Sequence, residues 1–360
     1  MSKIPVIAII GSGWGTRVQV PAYRQAGWQV GALWARTPDK ARALANEYAV
    51  PFYSADFHEI LLRPEIDLVS ICIPPHLHAE FAVTALQAGK HVLCEKPAAL
   101  NAQQALEMAV VARSYPHQLA LLDHELRFLP TRQKLRQMLR TAVLGEIYHV
   151  RVLFQANYGL ALGRLWNWWA EAESGGGILG ALGSHEIDQL TWLLGLRVRA
   201  VQAQLYTRIP QLPDSLHLLH NVTSDDLALI HLTFSNGVSA NLELNIVQAG
   251  PNRHSLHILG SKGSVYLEDG RLLHYGAGSN QASDLSVAEE IAAPLGIPAN
   301  DWWRGSVYQA QALRQWVQYG ETQALQMGAT FEDGLYTQQI LDACRIASIQ
   351  KRSIHLAMDS

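Results

Sequence analysis

At 360 residues the chain is longer than one hydrophobic core ordinarily serves, so two domains are expected. Hydrophobic residues make up 49% and charged residues 16%, which excludes a disordered chain. The formal net charge is -3 and the 28 basic residues are scattered, which argues against nucleic acid as a partner.

No apolar stretch approaches the roughly 20 residues of a membrane span, so no membrane association is expected. Met1-Ser2-Lys3-Ile4-Pro5 runs straight into a strand pattern without a cleavage signal, and a cytoplasmic location follows as the expectation. Cys72, Cys94 and Cys344 are odd in number and lack metal-ligand spacing. Cys72 and Cys94 fall inside apolar strand runs and read as buried reduced thiols, and no metal site is expected.

Taken in order, Ile4 to Ile10 is a nearly unbroken apolar run, the pattern of a parallel strand covered on both faces. Gly11-Ser12-Gly13-Trp14-Gly15-Thr16 follows. Glycine at 11 permits a sharp turn, and glycine at 13 lets backbone approach a pyrophosphate at the start of the next helix. Thr16 occupies the third glycine position of the dinucleotide-binding pattern, so the match is imperfect. A helix reading through Gln25 ends at Gly27, and Trp28 to Ala35 reads as the second strand. Where an acid would hold the ribose 2′-hydroxyl, this chain has Arg36-Thr37-Pro38, with no acid before Asp39. That predicts NADP(H) over NAD(H); the alternative is an Arg36 that merely stacks beside the adenine.

Alternation continues with a helix over 39–48, a short extended piece at 51–53, a short helix at 57–62 and a strand over 66–73. Pro74 and Pro75 stop that strand and form a wall beside the nicotinamide position. His76 or His78 is a candidate ligand contact, against the commoner role of capping or packing the next helix. The helix over 79–88 closes at Gly89, and His91 to Cys94 is another strand. It delivers Glu95, Lys96 and Pro97 to the carboxyl edge, where ligands of open parallel sheets bind. A lysine there holds a hydroxyl or carbonyl oxygen and takes part in proton transfer; the bland alternative is a Glu-Lys pair on a solvated loop. A helix over 101–113 and a strand over 119–122 end the alternation. The domain boundary is expected at 123–127, giving a dinucleotide-binding domain over 1–125 and a second domain over 126–360. A crossover helix is expected from Pro130 to about Leu144.

Beyond it, the segments 147–156, 198–207, 226–234, 238–246, 254–259 and 264–267 alternate polar and apolar residues. Ser235-Asn236-Gly237 and Glu268-Asp269-Gly270 supply turns between them. Antiparallel strands with one face buried are predicted. A second subunit is a common cover for the other face, so a homo-oligomer, at least a dimer, is expected. Gly175-Gly176-Gly177 precedes a helix carrying His185, a candidate proton donor or acceptor after a flexible lead-in. Trp166 and Trp168 are candidate sugar-stacking residues, whereas Trp302 and Trp303 read more as packing.

Several of these signatures occur together in a fixed order: Gly11, Gly13 and Gly15; Pro74, Pro75 and His78; Ala88-Gly89-Lys90-His91-Val92 with Glu95-Lys96-Pro97; Arg127, Phe128 and Pro130; Gly175-Gly176-Gly177, Gly183, His185 and Asp188; and Phe331-Glu332-Asp333-Gly334. The ordered set resembles the glucose–fructose oxidoreductase, inositol dehydrogenase and rhizopine-catabolism (Gfo/Idh/MocA) family over nearly the whole chain. The resemblance implies an α/β fold class: a Rossmann dinucleotide-binding domain followed by a C-terminal α/β domain with a large, open, mostly antiparallel sheet. It implies reversible hydride transfer between NAD(P) and a hydroxyl carbon of a sugar, polyol or similar molecule. It assigns the cofactor to Gly11, Gly13, Trp14, Gly15, Thr16, Arg36, Thr37, Pro74, Pro75, His78, Glu95, Lys96 and Pro97, and makes Lys96 and His185 the catalytic residues.

One position departs from the family pattern. Four residues before the histidine, the family's sugar dehydrogenases carry an aspartate, and this chain has Ala181. Asp188 is the better substitute, or is structural; Glu186 is the other nearby acid, and the two do not face the same pocket. Two other functions stay open: a glycosidase that oxidises its sugar transiently with a held NAD, as some members of the resembled family do, and a nucleotide-binding sensor without chemistry, which Ala181 suggests.

Overall fold

The computed structural model describes residues 3–161, 163–288, 290–294 and 300–357, which fall into two compact units. One comprises the described residues of Met1–Leu129 and Glu289–Leu335, the other those of Pro130–Ala288 and Tyr336–Ser360.

In the first unit, apolar runs stopped by glycine, proline or charge become β1 (Val6–Ile10), β2 (Gln29–Trp34), β3 (Phe52–Ser54), β4 (Leu68–Ile71), β5 (His91–Cys94) and β6 (Ala120–Leu122). Helices α1 (Val20–Gln25), α2 (Pro38–Glu47), α3 (Phe57–Leu61), α4 (His78–Gln87) and α5 (Ala102–Ser114) lie between them. The six strands run parallel in the order β6-β5-β4-β1-β2-β3. Every residue of β1 and β4 is buried because both faces are covered. Ala8 and Ile10 join one apolar cluster while Ile7 and Ile9 join another, as side chains alternating along a strand must. Strand order reverses between β1 and β4, and the carboxyl ends at such a reversal are where open parallel sheets bind their ligands.

The sequence reading assigned everything after residue 125 to the second domain, and that assignment is corrected for residues 126–129 and for the C-terminal segment up to Leu335. The helix Asp301–Tyr319 returns to the first unit, where Trp28 Nε1 donates to the Ala310 carbonyl at 2.8 Å. Trp303, 1% exposed, packs with Ala22 and Val307. The short strand Ala329–Thr330 adds antiparallel to β6.

The second unit opens with α6 (Pro130–Arg140), which stops short of Leu144 as Ala142 turns to φ 52°. Its other elements are β7 (Ile147–Gln155), α7 (Ser184–Leu194), β8 (Val198–Tyr206), the small hairpin β9 (Gln211–Pro213) and β10 (Leu219–Asn221), β11 (Leu227–Phe234), β12 (Ser239–Asn245), β13 (Arg253–Gly260), β14 (Gly263–Glu268), β15 (Arg271–Gly276) and β16 (Ala282–Asp284). The large sheet runs β16-β15-β14-β13-β7-β12-β11-β8 and ends in the two-residue strand Ile354–His355. Among the described residues only β7 and β12 pair parallel in it. Val150, Val152, Ile230, Leu242 and Ile258 are buried on one face, whereas Arg151, Leu229, Asn241 and Tyr266, which alternate with residues of that kind, are exposed. Along the outer side of β8, the Val198 amide donates to Tyr336 Oη at 2.6 Å and the Leu205 amide to Ser348 Oγ at 2.9 Å. Both acceptors sit on the helix Phe331–Gln350.

Candidate active site

Gly11 follows β1 at φ 135°, and a Cβ there would lie 2.1 Å from the Cys72 carbonyl oxygen, so only glycine lets the ends of β1 and β4 approach. A Cβ on Gly15 would meet Ile9 Cγ2 at 2.8 Å and Cys72 Cβ at 3.0 Å. Gly15 therefore supplies the close helix-to-strand packing that the pattern places one residue later. Thr16 is 1% exposed and its hydroxyl donates to the Gly13 carbonyl at 3.3 Å, closing the loop on itself. Gly13 has open space where a Cβ would point. The wide helical turn Gly15–Gln19 that leads into α1 has Trp14 at its N-cap, 37% exposed and without a side-chain cap, so the first amides are not claimed by a side chain. Unclaimed amides at a helical start are the kind of group that can receive an anion.

At the carboxyl end of β2, Ala35 is buried while Arg36 and Thr37 are exposed. Thr37 is the N-cap of α2 and also makes no side-chain cap. Asp39, the first acid after the strand, is held by Arg42 at 2.9 Å.

After β4, Pro74 is partly exposed and Pro75 buried. The cofactor contact expected of His78 is corrected. Its ring is 0% exposed, with Nε2 2.7 Å from the Ile73 carbonyl and Nδ1 2.9 Å from the Pro97 carbonyl. Burial pulls its pKa down to about 4 against the opposing pull of these carbonyls, and the neutral ring donates to one of the two while its other nitrogen lies against the second.

β5 ends in Glu95 and Lys96, both partly exposed, and in buried Pro97. The Glu95 carboxyl engages Gln19, whose Nε2 donates to Glu95 Oε1 at 3.2 Å and to Asp123 Oδ2 at 2.8 Å. Burial and the neighbouring Asp123 push the Glu95 carboxyl well above the usual carboxylate range, and burial raises Asp123 as well. Gln19 and Asp123 were missed as site residues by the sequence reading. The available signal was position: Asp123 directly follows β6 at the same sheet edge, and Gln19 stands one helical turn beyond Gly15.

In the second unit, His185 and Asp188, each 2% exposed, lie three apart on α7 and so share a face. Glu186, 0% exposed, points elsewhere: its Oε1 is 2.8 Å from His254 Nε2, and its Oε2 accepts from Gln189 Nε2 at 3.1 Å. Glu186 is thus committed to other partners and does not replace an aspartate at 181. The flexible lead-in expected before α7 is corrected too. Cβ atoms on Gly176 and Gly177 would lie 2.4 Å from the Trp169 carbonyl oxygen and from Asp225 Oδ1. The Ile178 amide donates to the Asp225 carbonyl at 2.9 Å and the Leu179 amide to Asp225 Oδ2 at 2.7 Å, so the glycines serve close packing.

Trp166 is partly exposed; its Nε1 donates to the Asn221 carbonyl at 3.2 Å and its ring lies over His220 at 4.9 Å, against the β9–β10 hairpin. Trp168 is 37% exposed. Among the described residues no group of three or more His, Cys, Asp or Glu is arranged to hold a metal, and no helix is long and apolar enough to cross a membrane.

Comparison with known proteins agrees with this geometry. Residues 6–122 match the family described as "Oxidoreductase family, NAD-binding Rossmann fold", and residues 132–266 match "GFO/IDH/MocA C-terminal domain". The chain is 32% identical over 361 residues to glucose-fructose oxidoreductase domain-containing protein 2 of Homo sapiens, covering 97% of this chain and 92% of that one. The crystal structure of an oxidoreductase domain protein from Kribbella flavida matches with a TM-score of 0.86 at 25% identity, over 99% of this chain and 100% of that one. Levoglucosan dehydrogenase, solved in complex with NADH and levoglucosan, matches with a TM-score of 0.86 at 22% identity over 99% and 100% of the two chains, a likeness of fold.

Proposed function

The chain belongs to the Gfo/Idh/MocA oxidoreductase family, and from that premise we propose that it is an NADP(H)-preferring dehydrogenase or reductase acting at a hydroxyl or carbonyl carbon of a sugar, polyol or related small molecule. The observation that carries this reading is one sheet edge bearing an open Gly13 cradle, an exposed Arg36 and a partly exposed Lys96. NADP(H), when bound, supplies the hydride acceptor or donor. The loop amides after Gly13 hold its pyrophosphate, and Arg36 with Thr37 takes the 2′-phosphate.

In this reading Lys96 holds the substrate oxygen as the carbon changes oxidation state, since an isolated alkoxide is costly. His185 keeps the acid–base role that the family resemblance gives it. Asp188 stands in for the aspartate absent at Ala181, being buried on the same face of α7 as His185. A sugar-like substrate is supported by the levoglucosan bound to the dehydrogenase of the same fold and by Trp168, an exposed indole suited to stacking on a ring. Self-association through the uncovered sheet face belongs to the same reading. So does a cytoplasmic location, which three free thiols suit.

The test is nicotinamide reduction by the purified protein with NADP and with NAD, across aldoses, polyols and inositols, beside the Lys96→Met variant. Turnover that prefers NADP and vanishes in the variant is expected. Turnover that persists in the variant would overturn the role of Lys96, and equal use of both cofactors would overturn that of Arg36.

A further inference from the structure

Gln19 has its amide orientation fixed by its surroundings. Ser70 Oγ donates to Gln19 Oε1 at 2.5 Å and Cys72 Sγ donates to the same oxygen at 3.0 Å, so Nε2 must face the other way. On that side it meets two carboxyl groups at 3.2 and 2.8 Å. Two carboxyl groups converging on one amide nitrogen, with Asp123 at 1% exposure, repel each other when both are charged, which favours a proton on one of them. The remaining Asp123 oxygen, Oδ1, is buried and receives no hydrogen bond from any described N–H or O–H group. Glu95 and Asp123 face each other closely enough to hydrogen-bond, which takes a proton on one of them.

We propose that Glu95 and Asp123 share one proton, carried by Glu95 and accepted by Asp123, and that this acid pair is a positioning group for Lys96 which holds one negative charge beside it, not two. Asp123 keeps the charge because it has the shorter bond from Gln19 and because Gln309 also faces it. Lys96, Glu125, Tyr23, Cys72 and Cys94 are the titratable groups around the pair. Backbone ties keep the arrangement rigid: the Asp123 amide donates to the Cys94 carbonyl at 2.8 Å and the Glu95 amide to the Ile71 carbonyl at 2.9 Å. The shared proton is a property of the fold; its service to Lys96 rests on the function proposed above.

The two parts are tested separately. Infrared difference spectra of the intact protein at pH 8, wild type minus Glu95→Gln, should contain a protonated carboxyl C=O stretch that shifts in D2O. The same band should move in frequency in Asp123→Asn, because the acceptor of the Glu95 proton changes from a carboxylate to a neutral amide. Absence of the band from the wild type, or an unmoved band in Asp123→Asn, would overturn the shared proton. Neither reading needs turnover. For the positioning role, the alkaline limb of kcat/KM should move to lower pH by about one unit in Glu95→Gln, because the pair then cannot gain a second negative charge beside the site. An unmoved limb with the infrared band present would overturn the positioning role and leave the acid pair standing.

Discussion

The His78 ring and the Pro97 carbonyl oxygen lie 2.9 Å apart inside the first unit, and through Ile73 on its other nitrogen the same ring joins the chain that leaves β4 to the chain that leaves β5. A neutral ring with a pKa of about 4 instead of the ordinary 6.5 refuses a proton that the unfolded chain accepts. Stability is therefore unaffected by this group above pH 6.5 and falls as pH drops from there toward 4, by up to about 3 kcal/mol. Urea unfolding of wild type and His78→Gln at pH 7.5 and pH 5 checks this: the variant should be destabilised at both but lose less than wild type on acidification.

Gly13 and Gly15 separate binding from packing. Gly13→Ala should fold with unchanged stability and bind nucleotide more weakly, because its Cβ enters open space where the ligand is expected. Gly15→Ala should lose about 1–3 kcal/mol of stability, because its Cβ meets Ile9 and Cys72. Calorimetry for nucleotide affinity, paired with chemical unfolding, distinguishes the two effects.

Lys96→Met should lower turnover on the order of 10²–10⁴-fold if the ammonium takes part in proton handling at the reacting oxygen. The side chain is partly exposed, so the fold should survive, as circular dichroism and thermal melting would show.

Arg36→Ala should weaken NADP binding by about 10- to 100-fold, the range of one charge-assisted contact, and leave NAD binding nearly unchanged. Binding titrations with both nucleotides report this directly. Equal weakening of the two would mean that Arg36 stacks beside the adenine and does not read the phosphate.

Asp225 accepts from the Leu179 amide while burial raises its carboxyl to about 6, so its charge opposes folding at neutral pH. That penalty is complete above pH 6 and is relieved as pH falls through 6 toward the ordinary 3.8. Asp225→Asn keeps an acceptor for Leu179 and removes the titration. Its melting temperature relative to wild type should be higher at pH 7.5 than at pH 5, and a difference independent of pH would refute the assignment.

Where the chemistry lies close to local sequence, the sequence was readable. Unbroken apolar runs at β1 and β4, the glycines between β1 and α1, and the charged stop after β5 announced the parallel sheet and its binding edge. Period-two alternation announced the faces of β7 and of β11 to β14. What stayed hidden depends on distant partners. Nothing near residue 310 signals that its carbonyl meets Trp28, and a two-residue strand such as Ala329–Thr330 carries no periodicity. The glycines at 175–177 looked permissive until the Trp169 carbonyl and Asp225 were seen to fill the space beside two of them. His78 looked like a ligand because sequence shows its charge type but not the two carbonyls that enclose it.

The margins of the large sheet have a consequence for the protein at high concentration. At one margin β16 offers only three residues, and β15 beside it is further engaged by Leu285 and Ser286. At the other, Ile354–His355 covers two residues of β8 while Tyr336 and Ser348 occupy amides beyond it. A stray extended segment thus finds no long row of vacant backbone groups to zip onto, and runaway strand addition between molecules is blocked at both ends.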